Sequence, residues 1–134
     1  MIDAGLRALV RQRTGDRCKY CGLRQEHLPL LRFHIDHIQP KKHGGTDDPL
    51  NLALACNSCN LHKGTNLTGI DPEGDRIEPL FHPRNDTWEM HFERQGAIIS
   101  GRTPKGRATV RVLNMNDPEN VQLRTELITR GQLG

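Results

Sequence analysis

Apolar residues Ile2, Leu6, Leu9 and Val10 recur at the spacing of one helical face, with Arg7, Arg11 and Arg13 off that stripe and Gly15 where a helix would stop. The pattern predicts a short basic amphipathic helix whose arginines form a solvated face. The period changes to two over Phe33-His-Ile-Asp-His-Ile38. That predicts a strand with Phe33, Ile35 and His37 on one face and His34, Asp36 and Ile38 on the other. A polar, glycine-containing loop follows from Pro40 to Pro49, then Asn51-Leu-Ala-Leu-Ala, then a short helix from Asn57 to about Lys63. Residues Gly64 to Pro79 hold three glycines, two prolines and several acids, and read as a loop or linker. Trp88, Met90 and Phe92 alternate with Glu89, His91 and Glu93, and Ala97-Ile-Ile-Ser lies beyond a Gln95-Gly96 turn, which predicts a hairpin. Thr103-Pro104 and Asp117-Pro118 each set a capping residue before a proline and open helices, the second ending at Gly131. Arg107 to Leu113 is rich in β-branched residues and fits a strand as well.

Apolar content of 34% and aromatic content of 4% are low for a 134-residue chain that must bury its own core. Something besides apolar burial is therefore expected to hold it together. Two CxxC pairs, Cys18/Cys21 and Cys56/Cys59, supply the means. Four thiolates fill the tetrahedral shell of a structural zinc and leave no position for a water, although the spacing does not separate zinc from iron. Gly22 permits the tight turn that such a knuckle requires. No run approaches the ~20 apolar residues of a membrane span. The start of the chain lacks the basic-then-apolar layout of a secretory signal. The cytoplasm is the expected compartment, where paired CxxC motifs bind metal more often than they form disulfides. A net charge of +3 is compatible with a polyanionic partner without demanding one.

The chemistry-bearing residues cluster around the cysteines: His34-Ile-Asp-His37, Gly44-Gly45 and Asn51-Leu52 between the pairs, and Asn60-Leu-His62-Lys63 directly after them. The His37 imidazole is suited to take a proton from water near neutral pH. Asp36 offers a hard carboxylate oxygen suited to Mg²⁺ or Mn²⁺, and Asn60 an amide oxygen as a second ligand. Adjacent strand residues point apart, so Asp36 and His37 serve one centre only if the strand ends there or the scissile phosphate lies between them. Asn60 and His62 are about 200° apart around a helix, which argues against both holding the same cation.

Taken together, Asp36-His37-Ile38, Pro40, Gly44-Gly45, Asn51-Leu52 and Cys56-x-x-Cys59-Asn60-x-x-Lys63 resemble the HNH endonuclease family over somewhat more than a third of the chain. The resemblance implies an α+β protein with a zinc-stapled ββα-metal module at residues 17–66. An N-terminal basic helix at 1–16 would precede it, and a C-terminal hairpin-plus-helix extension at 67–134 would pack on it. It implies His37 as general base, Asp36 and Asn60 as ligands of one divalent cation, and Cys18, Cys21, Cys56 and Cys59 as zinc ligands. Asn51 would brace the loop and orient His37 through its side-chain amide. The family's third signature position, often histidine, is Asn60 here. Lys63, His62 and His34 are the expected substrate contacts, while Trp88 and Phe92 are expected in the core. The implied activity is hydrolysis of phosphodiesters in DNA, leaving a 5′ phosphate, with RNA against DNA left open. The alternative is a zinc-dependent nucleic-acid-binding module without turnover.

Overall fold

The computed structural model describes residues 2–133. Asp3 caps the first helix, its carboxylate accepting from the Leu6 N–H, and α1 runs Ala4–Gln12 before Gly15 turns the chain at φ +63°. Of the three arginines expected on a solvated face, Arg7 is exposed, whereas Arg11 and Arg13 turn inward. Arg11 donates to the Phe33 carbonyl and Arg13 to the carbonyls of Pro49 and Leu52, so the helix is stitched to the segments behind it. Carbonyls at strand ends need donors, and a guanidinium supplies several in one rigid fork.

Strand β1 (His34–His37) pairs antiparallel with β2 (Leu52–Ala55), setting Asp36 opposite Ala53 and His37 opposite Leu52. All four residues of β2 are buried. Cys56 then caps α2 (Asn57–Lys63), its sulfur accepting from the Cys59 N–H. The local order is strand, loop, strand, helix.

The segment expected as a linker contains a hairpin, β3 (Thr68–Ile70) with β4 (Ile77–Pro79). Its turn is held from outside: Asp71 accepts the Glu73 N–H and receives two parallel bonds from Arg107, both 2.8 Å. Three-residue strands fixed by so distant a partner leave no period to read. Trp88–His91 is a helical turn, α3, and only β5 (Phe92–Gln95) and β6 (Ile98–Gly101) form the predicted hairpin. The turn brings Trp88 and Phe92, four residues apart, to one side with ring centroids 5.2 Å apart.

Both proline-led helices form, as α4 (Pro104–Val112) capped by Thr103 and α5 (Pro118–Thr129) capped by Asp117. The β-branched run is helical: the Thr109 hydroxyl donates to the Lys105 carbonyl and accepts from the Phe81 N–H. One apolar core joins Val10, Tyr20, Leu54, Phe81, Phe92 and Leu127, and Trp88 packs against it. Inside it, Arg124 is 1% exposed and donates to the carbonyls of Ala97 and Met115, each 2.7 Å. Among the described residues no helix is long and apolar enough to cross a membrane.

The Arg107 guanidinium holds the Asp71 carboxyl well below the usual carboxylate range. A depressed folded pKa gives stabilisation that is complete above the unfolded value of about 4 and lost as pH falls toward the folded one. Urea midpoints are therefore expected to drop between neutral pH and about pH 3. Arg107→Ala should be weaker at neutral pH and show a shallower acid dependence. An unchanged pH profile in that variant would show that the hairpin does not depend on this pair.

Candidate active site

Cys18, Cys21, Cys56 and Cys59 are buried and reduced, with sulfurs all within 4.8 Å of one another and those of Cys21 and Cys56 3.7 Å apart. A zinc tetrahedron with bonds near 2.3 Å has sulfur–sulfur edges of about 3.8 Å. The N–H groups of Cys21 and Cys59 point at the sulfurs of Cys18 and Cys56, 3.5 and 3.4 Å away. Thiolates gain from such donors. The donor set fits a closed structural zinc.

Strand β1 ends at His37, and that side chain faces a pocket of about 400 Å³ walled by Arg7, Arg32, His34, Lys41 and Asp47. His37 Nε2 lies 2.7 Å from Asp47 Oδ1, and Lys41 Nζ lies 3.2 Å from the same oxygen. A carboxylate only accepts, so Nε2 carries the hydrogen and Nδ1 is the nitrogen left to take a proton. Its bonds from His37 and then Lys41 hold the Asp47 carboxyl well below the usual range, so it stays charged. Asp47 was not among the residues expected from sequence. An acid in a polar loop is among the most ordinary of surface residues, and only closure of the loop turns it to the imidazole.

Asn51 performs that closure. Its Oδ1 accepts the Gln39 N–H at 2.8 Å, and its Nδ2 donates to the carbonyls of Gln39 and Thr46 at 3.0 and 2.8 Å. The amide braces the loop, as the resemblance implied, but its bonds go to backbone and not to the His37 ring. It acts on His37 through Asp47, the neighbour of Thr46. Gly45 is needed because a Cβ there would overlap the Gln39 carbonyl, and Gly44 sits at φ +83°.

Asp36 faces the opposite way and is 5% exposed. Its Oδ2 accepts the Tyr20 hydroxyl at 2.7 Å, and its Oδ1 lies 3.3 Å from Lys63 Nζ, which also donates to the His37 carbonyl at 3.1 Å. Burial pushes the Asp36 carboxyl up, against the pull of Lys63 and Tyr20. Burial, with Asp36 adding to it, pushes the Tyr20 hydroxyl well above its ordinary range. Lys63, 1% exposed, is an internal counter-ion and not the surface phosphate contact expected of it. The helix ends with Lys63 over the sheet, so its stem is buried and its ammonium meets Asp36. Asn60 is half-buried on α2. His62 Nδ1 bonds to the Ser58 carbonyl of its own helix at 2.8 Å, whereas His34 is exposed and borders the His37 pocket. Neither Asp36 nor Asn60 lines that pocket, and Asp36 and His37 lie on opposite faces of β1. Asp36 and Asn60 offer hard oxygens of the kind that bind Mg²⁺ or Mn²⁺, but a divalent cation would have to displace the ammonium of Lys63.

A ββα order closed by four cysteines, with a histidine at the end of the first strand, is the arrangement on which the family comparison turns. Residues 18–66 match the HNH endonuclease family. Among characterised proteins, the chain is similar to Septu protein PtuB of Bacillus thuringiensis, 27% identical over 116 residues that cover 83% of this chain and 41% of that protein. It is also similar to Septu protein PtuA of Bacillus mycoides, 24% identical over 149 residues that cover 91% of this chain and 20% of that protein. The chain thus spans less than half the length of the curated relatives it matches. No solved structure matches it significantly.

Within residues 18–66 the cysteine cluster and the strand that ends in His37 share one residue. Tyr20 sits inside the first knuckle, and its hydroxyl reaches Asp36 on the strand that ends in His37. Cys56→Ser or a strong chelator should therefore release zinc and unfold the module together, seen as coincident loss of metal and of near-ultraviolet circular dichroism. Metal loss with the fold retained would separate the two. Lys63→Met should cost about 3 kcal/mol in urea denaturation, because it strands a buried carboxylate. A solvated lysine would cost almost nothing.

Proposed function

We propose that the chain is a divalent-metal-dependent endonuclease acting on DNA phosphodiesters, with His37 as the general base. The observation that carries this reading is the His37–Asp47 pair, 2.7 Å apart, inside a pocket walled by Arg7, Arg32 and Lys41. Asp47 keeps the ring hydrogen on Nε2 and favours the imidazolium that forms when Nδ1 takes a proton from the attacking water. Arg7 and Arg32 offer planar forks for the phosphate oxygens, and His34 borders the same pocket for a further substrate contact. Asn51 holds the loop that aims Asp47. Asp36 and Asn60 would hold Mg²⁺ or Mn²⁺ in exchange for Lys63. Such a cation supplies neutralisation of charge on the leaving oxygen. The match of residues 18–66 to the HNH endonucleases supports the same reading.

One observation favours a second reading, nucleic-acid binding without turnover: Lys63 already neutralises Asp36. The two readings separate on supercoiled plasmid. The nuclease reading expects nicking with Mg²⁺ or Mn²⁺, a loss of about 100-fold or more in His37→Ala, and about 10-fold or more in Asp47→Asn, with zinc content unchanged. Equal nicking by wild type and His37→Ala would remove the imidazole from the mechanism. Binding that weakens with salt, ignores divalent cations and gives no cut product would establish the second reading. Metal binding has its own readout: Mn²⁺ should raise the urea midpoint of Lys63→Met more than that of wild type, since the vacated ammonium position then lies open.

A further inference from the structure

A second cavity, about 480 Å³, lies beside the first zinc knuckle and shares no lining residue with the His37 pocket. Arg17, Lys19, Arg24 and Arg94 line it, against one carboxylate among the described residues, that of Glu89. Their hydrogen bonds leave most of this charge unspent. Arg17 uses one N–H on the Gly22 carbonyl at 2.9 Å, and Arg24 meets only the exposed Glu26 at 3.3 Å. Lys19 lies near Arg84, Arg13 and Arg17, and Arg17 lies near Arg24 and Arg94. Cations gathered this closely repel one another, and an anion among them relieves the strain. Trp88 lines the same cavity, its Nε1–H fixed on the Tyr20 carbonyl at 2.7 Å, which locks the indole in place.

A fixed indole beside four cations, in a space of this size, matches a flat aromatic group carrying a phosphate. We propose that this cleft binds a nucleotide unit, its base against Trp88 and its phosphate among Arg17, Lys19, Arg24 and Arg94. The unit comes from a free nucleotide or from a nucleic-acid strand, and the site does not depend on cleavage at His37.

Trp88 is the chain's single tryptophan, so its fluorescence reports on this cleft alone. Zinc-loaded protein is titrated, without other divalent cations, with adenosine monophosphate, with a short single-stranded oligonucleotide and with inorganic phosphate. A saturable change with the mononucleotide identifies a free nucleotide as ligand, and saturation with the oligonucleotide alone identifies the strand. Lys19→Gln and Arg94→Gln, made separately in case one fails to fold, should each weaken that binding about tenfold with zinc content unchanged. No saturable change with either nucleotide probe would overturn the proposal. So would wild-type affinity in both variants, or inorganic phosphate binding as tightly as the nucleotide.

Discussion

Four sulfurs confined within 4.8 Å of one another form the constraint on which the rest of the molecule depends. Such a cluster has no stable metal-free form in which all four are thiolates, because unscreened charges cannot be buried together. A zinc ion held by the four cysteines would turn that liability into a cross-link between residue 18 and residue 59, and so would compensate for a core poor in aromatic groups. The cross-link also sets positions. Lys19 N–H bonds to the Leu54 carbonyl of β2, Tyr20 reaches Asp36 of β1, and the Tyr20 carbonyl receives Trp88 from the C-terminal layer. One knuckle thereby touches both strands of the module and the extension beside it.

Strand geometry divides the chemistry that this frame presents. Because successive side chains alternate, His37 meets solvent and Asp47 on one face while Asp36 meets Tyr20 and Lys63 on the other. Each carboxylate has a lysine: Asp47 has Lys41, which is exposed, and Asp36 has Lys63, which is not. The outer pair keeps an imidazole oriented at little cost. The inner pair is a buried charge that requires its partner.

The C-terminal layer is more than a lid on the core. It contributes Trp88, Glu89 and Arg94 to the cleft beside the knuckle, and its Asn120 bonds to Ser58 of α2 at 3.0 Å. Its own order rests on charged groups drawn inward, Arg124 to backbone carbonyls and Arg107 to Asp71. Backbone acceptors left by short strands and turns are satisfied by guanidinium forks, in the same way that Arg11 and Arg13 fasten α1 to the module.

Local pattern was enough for α1, β1, α2, the second hairpin and the helix opened by Asp117-Pro118, because caps, periodicity and glycine stops act within a few residues, whereas the β-branched run of α4 fitted a strand as well. Cysteine spacing was enough for the zinc site, because tetrahedral sulfur chemistry admits few alternatives. The β3–β4 hairpin and the helical turn at Trp88 were hidden, since each is fixed by a partner far along the chain, Arg107 for the one and the Tyr20 carbonyl for the other. The site divides in the same way. His37 and Asn51 stand out by residue type and neighbours, but the partnership of His37 with Asp47 and the burial of Lys63 against Asp36 arise from loop closure and helix docking. Sequence by itself determined which groups the molecule owns and which local elements carry them. Tertiary structure alone decided which of those groups meet, because burial and pairing depend on distances that chain spacing does not encode.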